Sequence, residues 1–103
     1  VIYSPLAIHC TSLCFDVIQS PYFESLALED IVNFKPEIYW MLKERTDMWP
    51  QFYHREHEFL EAISTGIVEV LSQCLKHRTA RTTDWILVAL ENRIDGTIKQ
   101  LVH

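Results

Sequence analysis

Glycine is nearly absent from this chain of 103 residues, which holds two of them, Gly66 and Gly96, beside four prolines and three cysteines. So few turn-formers exclude the closely spaced tight turns of a β-sandwich and favour helices joined by few loops. The cysteines, Cys10, Cys14 and Cys74, are odd in number, so no complete disulfide framework exists and a reducing, cytoplasmic setting is the simpler inference. Lys and Arg are nowhere concentrated and the formal charge is −5. A surface that neutralises phosphates needs a basic patch, so direct nucleic-acid binding by this chain alone is not expected. No apolar run approaches the roughly 20 residues that cross a bilayer, and no membrane segment is expected. The opening VIYSPLAIHC lacks a basic start followed by a sustained apolar core, so it does not read as a signal peptide. With no initiator Met, the chain reads as a piece of a longer protein.

What is present is core-forming material. Hydrophobic residues make up 49% of the chain against 22% charged, enough to bury a core in one domain spanning residues 1–103 and too short a chain for two. Apolar periodicity predicts about five helices and no strand. The first runs from about Leu6 to Gln19 behind Pro5, with Leu6, Cys10, Leu13, Cys14, Val17 and Ile18 at helical spacing. Ser20-Pro21 interrupts it, and a short amphipathic helix follows over Tyr22 to Asn33. Pro36 suits the first turn of a third helix, PEIYWMLKER, because its missing N–H has no partner to lose there. Pro50 opens the fourth and longest, PQFYHREHEFLEAISTGIVEVLSQCLKH, whose wheel gathers Phe52, Phe59, Ile63, Ile67, Val70 and Cys74 on one arc. The fifth begins near Thr79 to Thr83, whose hydroxyls can cap it, and runs to the chain end. The two C-terminal helices are long and expected to lie antiparallel.

Both glycines fall inside these helices, where Gly is less stable than Ala by about 1 kcal/mol. In the fifth helix, Leu87, Leu90, Ile94, Ile98 and Leu101 form one apolar stripe, while Trp85, Ala89 and Gly96 lie nearly opposite. The stripe packs on its own domain. The small residues opposite let another helix come close, either a second subunit or an element of the same chain. Asn92 lies on that side too, and the expected dimer interface is Trp85, Ala89, Asn92 and Gly96.

Ile94-Asp95-Gly96 in an apolar helix, preceded by a long helix holding Thr65, Gly66 and Ile67, resembles the C-terminal regulatory domain of TetR-type transcriptional repressors. PEIYWMLKERTDMWPQF is similar to that family's stretch in which Pro-Glu opens a helix before the long one. The resemblance covers the chain from Phe34 to the end. It implies an all-α bundle that pairs as a homodimer through its last helices, encloses a small-molecule effector, and is joined to an N-terminal helix-turn-helix domain that binds the operator. It implies no enzyme activity and no cofactor.

The residues offer a candidate effector site of their own. Trp40, Trp49, Phe52, Tyr53 and Phe59 can line a concave pocket for a hydrophobic or flat cationic molecule, or they can fill an ordinary core. Glu56 falls inside the arc of Phe52, Phe59 and Ile63, so it reads either as a pocket acid or as a first-turn carboxylate suited to the helix dipole. His54, His57 and Glu61, spaced i, i+3, i+7, raise a metal site, but HREHE is not the HExxH pattern and His54 and Glu61 fall on the polar face; a solvated face is preferred. Cys10 and Cys14 with His9, and Cys74 with His77, raise a thiolate site or a Cys-His nucleophile, yet the cysteines follow apolar stripes and read as core. The alternative to an effector-sensing and dimerisation domain is a helical protein–protein interaction module without a ligand.

Overall fold

A computed structural model describes residues 3–52 and 54–102. Tyr53, expected in the effector site, lies outside the described residues. Among these the chain is all-α: α1 (Pro5–Ile18), α2 (Leu28–Asn33), α3 (Lys35–Lys43), α4 (Glu56–Lys76) and α5 (Thr83–Leu101), with 3₁₀ turns at Phe23–Ser25, Thr46–Met48 and Arg78–Ala80. The molecule measures 40 × 30 × 20 Å.

Local chemistry sets each boundary. Ser4 caps α1: its hydroxyl accepts from the Ala7 N–H at 3.2 Å, and Pro5 fills the first helical position. The same Ser4 donates its N–H and its hydroxyl to one Glu91 oxygen, both at 3.0 Å, which ties the start of α1 to the middle of α5. The expected helix over Tyr22 to Asn33 is broken. Phe23 turns into the core in a 3₁₀ turn, and α2 starts only after Ala27, whose N–H donates to the Asp30 carboxylate at 2.7 Å. Pro36 separates α2 from α3, because proline cannot donate to the Val32 carbonyl and its ring crowds that group. Phe34 is the joint, and Pro36 sits in the first turn of α3.

The fourth helix is shorter than its periodicity predicts, beginning at Glu56 rather than Pro50. The preceding segment is an inward-folded strap. Trp49 and Phe52 are buried, and Trp49 donates its indole N–H to the Leu42 carbonyl at 3.0 Å near the end of α3. A straight helix from Pro50 would forgo that anchor. His54 turns the chain with φ of 65°, the left-handed region.

α4 is the central helix, packed against α1, α2, α3 and α5. Its buried face is wider than one arc, holding Phe59, Leu60, Ile63, Ser64, Ile67, Val68, Val70, Leu71 and Cys74. α4 and α5 run antiparallel as expected. At one end Arg55 donates to the Leu101 carbonyl at 3.0 Å, satisfying a last-turn group of α5. At the other, Arg81 donates to the Cys74 carbonyl at 2.7 Å, while Thr82 caps α5 by accepting from the Trp85 N–H at 3.3 Å. α5 buries Ile86, Leu90, Ile94 and Thr97, with Leu87, Ile98 and Leu101 half-buried beside them.

Candidate functional site

The outer side of α5 is largely exposed, with Trp85 and Ala89 bordering the edge of α4 at Gly66, Glu69 and Gln73. Trp85 is 40% exposed and Val88 43%, and Asn92, Gly96 and Gln100 are exposed along the same side. Two open, shallow clefts run along it: one of about 410 Å³ lined by Ala89, Asn92, Arg93, Gly96, Thr97 and Gln100, and one of about 580 Å³ lined by Thr82, Asp84, Trp85, Val88, Ala89 and Asn92. The four residues expected at an interface, Trp85, Ala89, Asn92 and Gly96, therefore share one surface. Val88 and Gln100 join them; both lie on the same arc of the helical wheel, a signal that could have found them.

The two glycines differ sharply in their surroundings. A methyl group built on Gly66 would sit 2.8 Å from Arg93 Cγ, 3.2 Å from its Nε and 3.4 Å from its Cδ. Gly66 is the gap through which the Arg93 side chain crosses α4 to pair with Glu69. A methyl group on Gly96 would meet nothing within 4 Å. Packing against the described residues therefore gives no reason for Gly96.

The aromatic candidates do not gather around a shared space. Trp49, Phe52 and Phe59 pack on one another, with ring centroids 5.7 Å apart for Trp49–Phe59 and 5.0 Å for Phe52–Phe59, and all three are buried. Trp40 stands away from them, 57% exposed, with the Lys43 ammonium 4.7 Å from its ring centroid and Tyr39 edge-on at 6.0 Å. Glu56 is half-buried in the first turn of α4, where a carboxylate complements the positive end of the helix. Among the described residues no buried side-chain nitrogen or oxygen lacks a hydrogen-bond partner, so no orphaned polar group aims into the core to receive a ligand. A mostly apolar cleft lies elsewhere, about 420 Å³ lined by Pro5, Ile8, His9, Ser12 and Met48.

The histidines, acids and thiols serve other ends. His54 precedes α4 and His57 follows in its first turn, where His57 Nδ1 meets the Tyr39 hydroxyl at 2.8 Å. Glu61 pairs with Lys35 at 2.6 Å, and the bond holds the Glu61 carboxyl below its ordinary value. Together these contacts stitch α3 to α4. No group of three or more His, Cys, Asp or Glu that could hold a metal ion forms among the described residues. Cys10, Cys14 and Cys74 are free and buried. Burial pushes the Cys10 thiol up to about 12 and raises Cys14 and Cys74 as well, so all three are neutral thiols rather than nucleophilic thiolates at neutral pH.

No helix among the described residues is long and apolar enough to cross a membrane. No family model matches the chain, nor does any curated protein or any solved structure.

Proposed function

We propose that this chain is a helical dimerisation domain, two copies of which pair through the outer face of α5, as in the regulatory half of a TetR-like repressor. One observation carries the reading: Gly96 sits mid-helix on an exposed face, and beyond the adjacent backbone of α5 no atom of the described residues lies within 4 Å of where a methyl would stand. A helix-destabilising residue with no internal return is explained by a close approach from outside, and closed two-fold pairs are the commonest assemblies. The exposed Trp85 and Val88 beside it add apolar area of the kind that interfaces cover. The test is the mass of the wild-type chain by sedimentation equilibrium from 1 to 200 µM, with Gly96→Arg as control. A dimer at the upper concentrations, abolished by the substitution without loss of helical circular dichroism, supports the reading; a monomer throughout overturns it.

Effector sensing is the second reading, and the apolar cleft at Pro5, Ile8, His9, Ser12 and Met48 is what favours it. A small hydrophobic molecule would find more accessible apolar surface there than among Trp49, Phe52 and Phe59, whose faces already cover one another. Occupancy at about 100 times Kd would stabilise the fold by roughly 2.7 kcal/mol. A thermal-shift screen in which Ile8→Asp removes the response of wild type would support this reading, and no response from any hydrophobic compound would set it aside.

A further inference from the structure

Resting on the proposed dimer, we infer that the two α5 helices pair antiparallel, with Trp85 of each copy seated over the partner's Gly96. The helical wheel puts Trp85, Asn92 and Gly96 on one line along α5, flanked by Ala89 and Gln100 on one side and by Val88 and Lys99 on the other. Trp85 and Gly96 are 11 residues, about 16 Å, apart on that line. A two-fold axis along the helices sets each residue beside its own copy: Trp85 against Trp85, which holds the helices apart, and Gly96 against Gly96, which leaves a void where they should touch. A two-fold axis across the helices, at the level of Leu90 and Glu91, exchanges the ends. The largest side chain of the face then meets the residue without one, and Asn92 meets the partner's Ala89.

Charge makes the same choice. Asp84 is exposed in the first turn of α5 and Lys99 is exposed in the last. Parallel pairing sets Asp84 level with Asp84 and Lys99 level with Lys99, so each end of the pair gathers one sign of charge. Antiparallel pairing brings Asp84 within about two residues of the level of the partner's Lys99, and sets the helix dipoles head to tail. Lys99 holds Asp95 of its own chain at 2.9 Å, but both side chains are well over half exposed and free to share.

The occupant is a second copy of this chain because the face complements itself. α5 is 19 residues and about 28 Å long, and the edge of α4 at Glu69 and Gln73 adjoins it. A face of that length lies at the small end of specific interfaces, which begin at about 600 Å² per partner, so a weak dimer with a Kd on the order of tens of micromolar is expected.

The experiment is a pair of measurements on the full chain. Val102→Cys, exposed at the end of α5 and outside the charge pairing, carries a nitroxide label; the three native cysteines are buried, so the label goes to position 102. In the antiparallel register the two positions lie about 36 Å apart, and in a parallel pair about 11 Å. Double electron–electron resonance, with continuous-wave line broadening for separations too short for the pulsed method, should give the longer distance at a concentration where light scattering reports a dimer. The second measurement compares the dimer Kd of wild type with that of Gly96→Trp and of the exchange variant Trp85→Gly/Gly96→Trp. Gly96→Trp should weaken the dimer at least tenfold, and the exchange should restore most of the loss, because each Trp again faces a Gly. A short distance in an intact dimer overturns the antiparallel register and leaves the dimer standing. An unchanged Kd for Gly96→Trp overturns the seating. A monomeric wild type overturns the dimer itself.

Discussion

Replacing each glycine by alanine should shift stability in opposite directions, although both positions are interior to long helices and look alike in sequence. At Gly96 the added methyl meets nothing within 4 Å, so only the backbone preference changes. Alanine is better than glycine in a helix interior by about 0.8–1.0 kcal/mol, and a domain of this size gains roughly 4–8 °C in Tm per kcal/mol. At Gly66 the same preference is opposed by a contact at 2.8 Å with Arg93 Cγ, an atom near the base of the side chain rather than at its mobile end. Arg93 must then swing away from α4 and give up its partner Glu69. Overpacking costs about 1–3 kcal/mol, and the exposed ion pair adds up to about 1 kcal/mol, so Gly66→Ala should be net destabilising by about 1–2 kcal/mol. The assay is urea unfolding followed by circular dichroism at 1 µM, dilute enough to keep a micromolar pair mostly apart. Gly96→Ala should raise the midpoint and Gly66→Ala should lower it. Movement of both midpoints in the same direction would refute the claim that only one of these glycines is required inside the chain.

Further outcomes follow from the core and the charge pairs. Trp49→Phe keeps the packing on Phe59 but removes the indole bond to the Leu42 carbonyl, and should lower stability by about 1 kcal/mol in urea unfolding; Trp49→Ala should cost about 3–5 kcal/mol. Native protein at pH 8 should leave Cys10, Cys14 and Cys74 unreacted with Ellman's reagent for minutes, while guanidinium exposes all three at once. Because folding raises these thiol pKa values, their contribution is intact below the ordinary value of 9.0 and is lost as pH rises through the folded values, so the Tm should fall above about pH 9. Arg81, Arg55 and Lys35 hold the carboxyls of Glu24, Glu58 and Glu61 below 4.5; that stability is present above 4.5 and is lost as pH falls through the depressed values, and a titrated Tm should show it. In a Trp40→Phe/Trp49→Phe background, emission from Trp85 should shift to the blue and resist iodide quenching as concentration rises from 1 to 200 µM; constant emission would count against its burial by a second copy.

The fold was legible where one residue type decides a local outcome. Pro5, Pro36, and the threonines at the head of α5 mark helix starts by the missing N–H or the capping hydroxyl, and each start lies within a residue or two of its signal. The stripe through Leu90 and Ile94 is buried because α5 has one apolar side and one central helix to place it against. The start of α4 was not legible. Pro50 is as good a first helical residue as Pro36, and Phe52 falls on the same wheel arc as Phe59 and Ile63, so periodicity extends the helix through 50–55. What stops it is non-local: the Trp49 indole bonded back to α3 and Phe52 packed on Phe59 need an extended strap, and neither contact is visible in spacing. The break before α2 has a similar cause, with Phe23 drawn inward while Tyr22 stays in solvent.

At the candidate site the same distinction separates the aromatics from the glycines. Five aromatic residues within 40–59 suggest a cluster, but a helical wheel cannot tell a ring that lines a space from one that fills it. Trp49, Phe52 and Phe59 fill it, Trp40 faces water, and neighbouring chain positions did not bring the four together. Glycine is more informative because its effect on a helix is unfavourable wherever it occurs and its compensation must lie in a neighbour. For Gly66 the neighbour is Arg93, a residue 27 positions later whose path over α4 no periodicity reveals. For Gly96 the described residues supply none within 4 Å beyond the adjacent backbone of α5, and the residue stands in line with the exposed Trp85 on the side of α5 away from its buried stripe. A helix with one face packed and the other carrying an exposed ring in line with a bare backbone leaves, on that second face, the surface that the proposed pairing would cover.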